Sequence, residues 1–248
     1  MKLLVTGGSG FIGSNFVRHV LATHPDDTVV NLDKLTYAGN PANLKDVERD
    51  PRYTFVHGDI CDAKRVRDVA RGVDAVINFA AMTHVDRSIM EPDEFLRTDV
   101  FGVHTLLETV KDLKIPRLVH ISTDEVYGSV ERGASRETDP LRPSNPYSAS
   151  KAGGDLVALA YWHTHRVPVL ITRSSNNFGP WQYPEKVIPL FIATRSRTSR
   201  CRSTATDGTS GTGSTCWTTA WPSTSCSGRA ARARSTTSVA GTRWRTSS

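Results

Sequence analysis

The sequence TGGSGFIG, residues 6–13, lies between a short apolar segment and an amphipathic one. A glycine-rich turn between a strand and a helix is typical of the first βα unit of a dinucleotide-binding fold. Gly7 permits the tight turn, Gly10 lets the backbone approach a pyrophosphate, and Gly13 allows close packing of helix on sheet. The alternative is an ordinary glycine-rich turn, but the flanking strand and helix favour a phosphate-binding loop.

Short apolar segments alternate with helical patterns over the first 193 residues. Strands are predicted at Lys2–Thr6, Thr28–Leu32, Tyr53–His57, Ala75–Phe79, Leu118–Ser122 and Pro168–Arg173. Helices are predicted at Gly13–Thr23, Ala63–Arg71, Leu96–Leu113 and Ala152–Thr164. Apolar strands that alternate with helices indicate an α/β fold with a doubly wound parallel sheet, the NAD-binding Rossmann fold.

Charge divides the chain into two parts. Residues 1–193 hold 22 Lys and Arg against 24 Asp and Glu, whereas residues 194–248 hold nine Arg and one Asp. The basic character therefore belongs to the tail, and it predicts no nucleic-acid partner for the folded part. No apolar run is long enough for a membrane span, and no signal peptide precedes the first strand. A single cysteine before residue 194, Cys61, indicates a reducing, cytoplasmic setting.

Asp33 closes the second predicted strand, about 20 residues beyond the glycines, where a carboxylate can accept both ribose hydroxyls. A carboxylate there repels a 2′-phosphate, so NAD is favoured over NADP, although Lys34 beside it weakens that preference. A helix N-cap is the alternative role for Asp33. Asp59 and Ile60 follow the third strand and could frame the adenine, but taken alone they form a common turn.

Two further motifs carry chemistry. Tyr147 and Lys151 form a Tyr-x-x-x-Lys pair, which can remove a proton from a sugar hydroxyl beside a nicotinamide ring. Asp124 and Glu125 follow Thr123 at the end of the fifth strand, where side chains face the ligand crevice. Alcohol oxidation needs only the Tyr and the Lys, so two more acid/base groups indicate a second reaction, namely loss of water. A solvated turn is the alternative for the two carboxylates.

These pieces, in this order, resemble the extended short-chain dehydrogenases/reductases and, within them, the dTDP-glucose 4,6-dehydratase family. The resemblance rests on TGGSGFIGSNF, LDKLTYAGN, HGDICD, NFAAMTHVDRSI, HISTDEVYG, PSNPYSASKAG and RSSNNFGPWQYPEKVIPLF, which span Met1 to about Ala193. It implies an NAD-dependent lyase that converts dTDP-glucose to dTDP-4-keto-6-deoxyglucose and water, and that assembles as a homodimer.

The resemblance also implies the catalytic roles. Tyr147, its phenol pKa lowered by Lys151 and the nicotinamide charge, would take the proton of the 4-hydroxyl as hydride leaves C4. Glu125 would remove the C5 proton and later return it, and Asp124 would protonate the departing 6-hydroxyl. Thr123 would hydrogen-bond the 4-oxygen, and NAD would be restored in every cycle.

Binding residues follow from the same resemblance. The implied cofactor-binding residues are Gly7, Gly10, Phe11, Ile12, Gly13, Asp33, Asp59, Ile60, Ala80, Ala81, Thr98, Tyr147, Lys151 and Asn177. The implied substrate-binding residues are Thr83, Thr123, Asn176 and Lys186. No metal is expected, because the histidines have no metal-ligand spacing.

Three positions in two segments depart from the family pattern. The family commonly has Glu-Ser where this chain has Met82 and Thr83. Asp99 stands where relatives usually carry Asn, and a carboxylate there could perturb the link to Lys151.

Residues 194–248 contain no Leu, Ile, Phe, Met, Tyr, Lys or Glu, and nearly half are Ser or Thr. Such a composition predicts a disordered tail of irregular coil or marginal helix. We interpret it as a shift of reading frame, because Ser203–Trp217, back-translated with G/C-rich codons and read from the third base, gives YGDGRNVRDWLYVL. That string resembles the family's segment after PEKVIPLFI.

The predicted organisation is an NAD-binding Rossmann domain with the catalytic residues at 1–173, the start of a substrate-binding lobe at 174–193, and an out-of-frame tail at 194–248. Two alternatives to the dehydratase stay open. One is an epimerase or decarboxylase of the same superfamily, and the other is a catalytically dead NAD-binding fragment.

Overall fold

The computed structural model describes residues 1–130, 133–196, 211–215, 235–238 and 242–244. Its strands are β1 Lys2–Thr6, β2 Thr28–Asp33, β3 Tyr53–His57, β4 Ala75–Asn78, β5 Leu118–Thr123, β6 Val169–Ser174, β7 Asn176–Phe178, β8 Gly211–Thr215, β9 Ser235–Ser238 and β10 Thr242–Trp244. Seven of them form a parallel sheet in the order β3-β2-β1-β4-β5-β6-β9. The prediction of a doubly wound parallel sheet is confirmed, and all six predicted strands are present with ends shifted by no more than one residue.

The strand order reverses between β1 and β4. From β1 the chain builds outward through β2 to β3, and from β4 it builds the other way through β5 and β6. The connections that leave β1 and β4 therefore diverge and open a crevice at the carboxyl ends of these strands. Ligands of open α/β sheets bind at such a point.

Both faces of the sheet are buried, which explains the continuous apolar strands. Leu4 and Val76 pack into one core layer, whereas their neighbours Val5 and Ile77 pack into the other. Successive side chains of a strand point to opposite faces, so a strand covered on both sides is apolar at most of its positions.

Seven helices connect and cover the strands in the described part of the chain. They are α1 Phe11–Thr23, α2 Ala63–Val69, α3 Val85–Met90, α4 Pro92–Leu96, α5 Val103–Leu113, α6 Pro146–His165 and α7 Val187–Ser196. A π-helical turn, Arg97–Gly102, joins α4 to α5. No helix among the described residues is long and apolar enough to cross a membrane.

Helix α6 begins six residues before the predicted start at Ala152. Asn145 caps it, because its side-chain oxygen accepts from the Ser148 amide at 2.7 Å while Ser148 reciprocates, and Pro146 occupies the first turn. The earlier start places Tyr147 inside the helix, one turn before Lys151.

The tail differs from the prediction in its described segments. Strand β8 pairs with β7 in parallel and with β10 in antiparallel orientation, and β9 extends the main sheet beside β6. Ladders of this kind need only backbone N–H and C=O groups, so they form without apolar side chains. The rest of the predicted tail, and the packing of its side chains, lies outside the described residues.

Candidate active site

The glycine-rich turn packs so closely that side chains are excluded at two positions. Gly7 has φ +71°, and a Cβ there would lie 2.5 Å from the Ala80 nitrogen. A Cβ on Gly13 would lie 2.3 Å from the Gly7 carbonyl oxygen. These approaches bring the turn, the start of α1 and the Ala80 segment after β4 together at the carboxyl edge of the sheet. Ala81 and the half-buried Phe11 and Ile12 adjoin the same turn.

Two side chains of β2 hold this turn. The Gly8 amide donates to Asn31 Oδ1 at 3.0 Å, and the Ser9 amide donates to Asp33 Oδ2 at 2.9 Å. The Leu35 amide donates to Asp33 Oδ1 at 2.8 Å. Burial raises the pKa of Asp33, although these hydrogen bonds oppose the shift. The sequence analysis did not predict a role for Asn31, although a polar residue inside an apolar strand indicates one.

The ammonium of Lys34 turns away from Asp33. Its Nζ lies 3.0 Å from Asp59 Oδ2. Burial acts to raise the pKa of Asp59, but hydrogen bonds from the Cys61 amide and from Lys34 outweigh it, and the pKa is lowered. Ile60, next in the chain, is buried in the hydrophobic core. Lys34 is therefore engaged by another carboxylate and does not neutralise Asp33.

Strand β5 delivers the two adjacent carboxylates to the same edge. It ends at Thr123, and a 3-10 turn spans Asp124–Tyr127. The Thr123 Oγ1 accepts from the Glu125 amide at 3.2 Å and lies 3.4 Å from Asp124 Oδ1. The Thr123 side chain also acts to lower the pKa of Tyr147, so it lies beside the phenol. Thr123 is thus situated between the two carboxylates after β5 and the tyrosine of α6.

Helix α6 places Tyr147 and Lys151 on one face, because residues four apart are neighbours on a helix. Lys151 is buried and donates its Nζ to the Ile121 carbonyl oxygen at 2.8 Å. The Tyr147 ring meets Phe95 edge-to-face, with centroids 6.5 Å apart. The structure therefore brings together all five predicted catalytic residues.

The pKa values of these groups are displaced in unequal ways. Burial, with the charge of Glu125, raises the pKa of Asp124 to about 6. Burial also raises the pKa of Tyr147, and the charges of Glu125 and Asp99 add to it. The Tyr147 pKa is therefore not lowered in the chain alone, because burial and the nearby carboxylates outweigh the opposing effect of Thr123.

The predicted substrate residues Thr83 and Lys186 meet although 103 positions separate them. Lys186 Nζ donates to the Thr83 carbonyl oxygen at 3.0 Å, and the Tyr37 and Thr83 hydroxyls lie 3.4 Å apart. Beside them, Glu185 Oε2 lies 3.5 Å from His84 Nε2. The loop before α7 is therefore fastened to the start of α3 and forms one wall of the crevice.

Three other predicted residues lie on the neighbouring elements. Asn176 and Asn177 form part of β7, and Asn176 is exposed. The Asn177 side chain donates to Ser174 Oγ at 3.2 Å, which places it directly after β6. Thr98 is half-buried in the π-helical turn.

The sequence analysis did not predict a buried polar network that lies behind Tyr147 and Lys151. Arg173 donates to Asp155 Oδ2 at 2.8 Å and to the Tyr127 hydroxyl at 2.6 Å. His120 Nδ1 lies 3.0 Å from Asn78 Nδ2. The network joins β4, β5, β6 and α6, the elements that position the site. In the sequence, this network was indicated by polar and charged residues inside the predicted strands.

Comparison with known proteins assigns the chain to a family. The family model described as GDP-mannose 4,6 dehydratase matches residues 4–209. The chain belongs to this family. The chain is 54% identical over 192 residues to the low-salt glycan biosynthesis protein Agl12 of Haloferax volcanii, covering 77% of this chain and 62% of that protein.

Other relatives carry a more specific name. A dTDP-glucose 4,6-dehydratase of Streptomyces niveus is 54% identical over 195 residues, covering 77% of this chain and 58% of that protein. The crystal structure of DesIV, a dTDP-glucose 4,6-dehydratase from Streptomyces venezuelae solved with NAD bound, superposes with a TM-score of 0.94 at 46% identity. That match covers 98% of this chain and 77% of DesIV. The chain thus spans about three fifths of the length of these curated relatives.

Proposed function

We propose that this chain carries the catalytic half of an NAD-dependent nucleotide-sugar 4,6-dehydratase that converts dTDP-glucose to dTDP-4-keto-6-deoxyglucose and water. The observation that carries the proposal is the Asp124–Glu125 pair, held by Thr123 and close enough to Tyr147 for both carboxylates to raise its pKa. An enzyme that only oxidises or epimerises at C4 has no use for two carboxylates there. Relatives named dTDP-glucose 4,6-dehydratase support the choice of reaction and sugar.

The residues at the crevice fit NAD. The glycine-rich turn leaves room for a pyrophosphate where Cβ atoms at Gly7 and Gly13 would collide with backbone. Asp33, with Lys34 paired elsewhere, suits an unphosphorylated ribose. NAD, when bound, accepts a hydride from the sugar and later returns it.

Tyr147 removes the proton of the sugar 4-hydroxyl, with Thr123 hydrogen-bonded to the same oxygen. Because burial and nearby carboxylates raise its pKa in the chain alone, the phenol keeps its proton until positive charge enters the site. We infer that a filled cofactor site lowers the Tyr147 pKa, which makes proton removal conditional on cofactor binding.

The two carboxylates then divide the elimination. Glu125 takes the C5 proton, which the 4-keto group has acidified, and Asp124 donates a proton to the departing 6-hydroxyl. Asp124 can do so because its pKa of about 6 keeps about a tenth of it protonated at pH 7, far more than for an ordinary Asp. A carboxyl group whose pKa is raised by its surroundings is a common general acid in such sites.

The product decides between the candidate reactions. Incubation with dTDP-glucose and NAD is expected to give a nucleotide sugar lighter by one water, which mass spectrometry detects. A product of unchanged mass with inverted C4 would instead indicate an epimerase. If the chain binds NAD but forms no product, it is a catalytically dead NAD-binding fragment. The same assay on a chain with the restored reading frame then tests the proposed reaction.

Asp124 gives this reaction a pH dependence. Its protonated form is the active one, so water loss should fall as pH rises through about 6, by about tenfold per unit well above that pKa. Asp124→Asn should remove this limb and slow water loss by about 10²–10⁴-fold. Measuring kcat against pH checks this, with the exposed Asp26→Asn as control. An unchanged profile in Asp124→Asn would assign the acid to another group.

Asp33 sets the cofactor preference. We expect NAD to bind about 100-fold more tightly than NADP, since a 2′-phosphate would meet the Asp33 carboxylate. Asp33→Ala should narrow this gap, and Asp33→Asn, which keeps an acceptor for the Ser9 or Leu35 amide, should narrow it with less damage to the turn. Calorimetric titration of both cofactors measures the gap. Equal affinities in the unmutated chain would refute the ribose assignment.

We propose that residues 1–173 form a cofactor-binding domain and that residues 174–193 begin a substrate lobe. We also propose a cytoplasmic homodimer. Exposed apolar side chains on the helical face of the domain support the dimer, since such patches mark interaction sites. They include Leu96, Phe101 and Leu156.

A further inference from the structure

A buried carboxylate lies behind the catalytic pair and has none of the roles assigned above. Asp99 is 1% exposed and sits in the π-helical turn between α4 and α5. Such turns occur frequently at functional sites. A buried charge is costly unless it is paired and hydrogen-bonded, so the contacts of Asp99 indicate what it does.

Those contacts join three elements around Lys151. Asp99 Oδ1 accepts from the Met82 amide at 3.2 Å, and Oδ2 accepts from Ser150 Oγ at 2.7 Å. A Cβ on Gly154 would lie 2.4 Å from the Asp99 carbonyl oxygen. Asp99 therefore contacts α6 immediately before Lys151 and one turn after it. Through Met82 it also holds the segment that leads to Thr83.

Asp99 is electrostatically coupled to both catalytic residues of α6. Burial raises its pKa to about 6, and the charge of Lys151 opposes that rise. The charge of Asp99 in turn raises the pKa of Tyr147. Among the neighbouring charged groups, Asp93, Glu94, Arg97 and His104 are exposed, and Glu108 accepts from Tyr161. Asp155 also interacts with Lys151, but it is hydrogen-bonded to Arg173. On β5, burial and the Lys151 charge lower the pKa of His120, so this side chain is neutral.

We propose that Asp99 is a positioning residue of the catalytic pair, which fixes the Lys151 turn of α6 against the Met82 segment and sets a titratable negative charge opposite Lys151. The inference deepens the proposed function, and it rests on that function in assuming that Tyr147 acts as the base. Ionised Asp99 partly neutralises the field of Lys151 at the phenol. Protonated Asp99 no longer opposes Lys151, which lowers the Tyr147 pKa.

The coupling can be measured on the full chain without turnover. Carbon-13 NMR of Asp-labelled protein should show that the carboxyl resonance removed by Asp99→Asn titrates near pH 6, and Asp124→Asn identifies the second resonance expected near that pH. Lys151→Met should raise the Asp99 value by about one unit or more, because it removes the stabilising charge. Ser150→Ala should also raise it, since a hydrogen bond to the carboxylate is lost. Exposed Lys114→Met is the matched control and should leave it in place.

An Asp99 carboxyl that titrates at its ordinary value, or that ignores Lys151→Met, would overturn the proposal, whatever reaction the enzyme performs. A second measurement follows hydride transfer as NADH absorbance in the frame-restored chain. Asp99→Asn keeps hydrogen-bonding groups for Met82 and Ser150 but removes the charge. It should move the pH of half-maximal rate down by about one unit with KM unchanged. A lower rate with no shift of the profile would also overturn the proposal, since it would show a purely structural role.

Discussion

Glu125→Gln is expected to form NADH transiently from dTDP-glucose while losing no water. Oxidation at C4 uses Tyr147 and Thr123, whereas the elimination needs a base at C5. The amide of Gln keeps the size of the side chain but cannot accept that proton. We therefore expect water loss to fall by about 10³-fold or more while the hydride step stays within about tenfold. Stopped-flow absorbance of NADH and mass spectrometry of the sugar measure the two steps separately.

Tyr147→Phe provides the matched comparison, because it should suppress both steps. The measurements belong in a chain whose tail is encoded in the restored frame, so that a substrate lobe is present. If Glu125→Gln removes NADH formation as completely as water loss, with fold and cofactor binding intact, Glu125 cannot be the C5 base. Dehydration at the unmutated rate would be equally incompatible with that role.

Restoring the reading frame after Ala193 is expected to recover a folded substrate lobe and dehydratase activity. The reason lies in α7, whose apolar side chains face solvent: Val187 is 64% exposed, Ile188 47% and Ile192 67%. Covering large apolar side chains of this kind stabilises a protein by about 1.5–3 kcal/mol each. The Arg-, Ser- and Thr-rich tail offers little apolar surface for that purpose. We expect the restored chain to melt at a higher temperature and to bind dTDP-glucose more tightly.

Limited proteolysis tests the same idea on the present chain. Cleavage should begin after Ala193, while the sheet and helices before it resist. Ile192→Glu in α7 is a useful control, since it should improve the solubility of the present chain but destabilise the frame-restored one, where that side chain is expected to be buried. A protease-resistant tail, or full dehydratase turnover by the present chain, would show that residues 194–248 form a genuine domain.

The strands and the phosphate-binding turn could be read from the sequence because both depend on local features. Apolar continuity reports burial on both faces of a strand, and the glycines at 7 and 13 are required by backbone contacts only a few residues or one strand away. The adjacency of Asp124 and Glu125 likewise needed no tertiary information. The end of a central strand is where a parallel sheet presents its ligand site, so their location followed from the strand pattern. Even the late start predicted for α6 was a local error, since a capping box was present in the sequence.

The sequence could not show which residues distant along the chain meet in the fold, nor the electrostatic fields that their charges create. Lys186 reaches Thr83, Lys34 turns from Asp33 to Asp59, and Asp99 meets Ser150, all through folding of segments that share no pattern. The resemblance implied a Tyr147 pKa lowered by Lys151 and the nicotinamide charge together. Without the cofactor charge the pKa is raised, because a pKa depends on burial and on every charge within several ångströms, and these are set by how β5, α6 and the π-helical turn pack together.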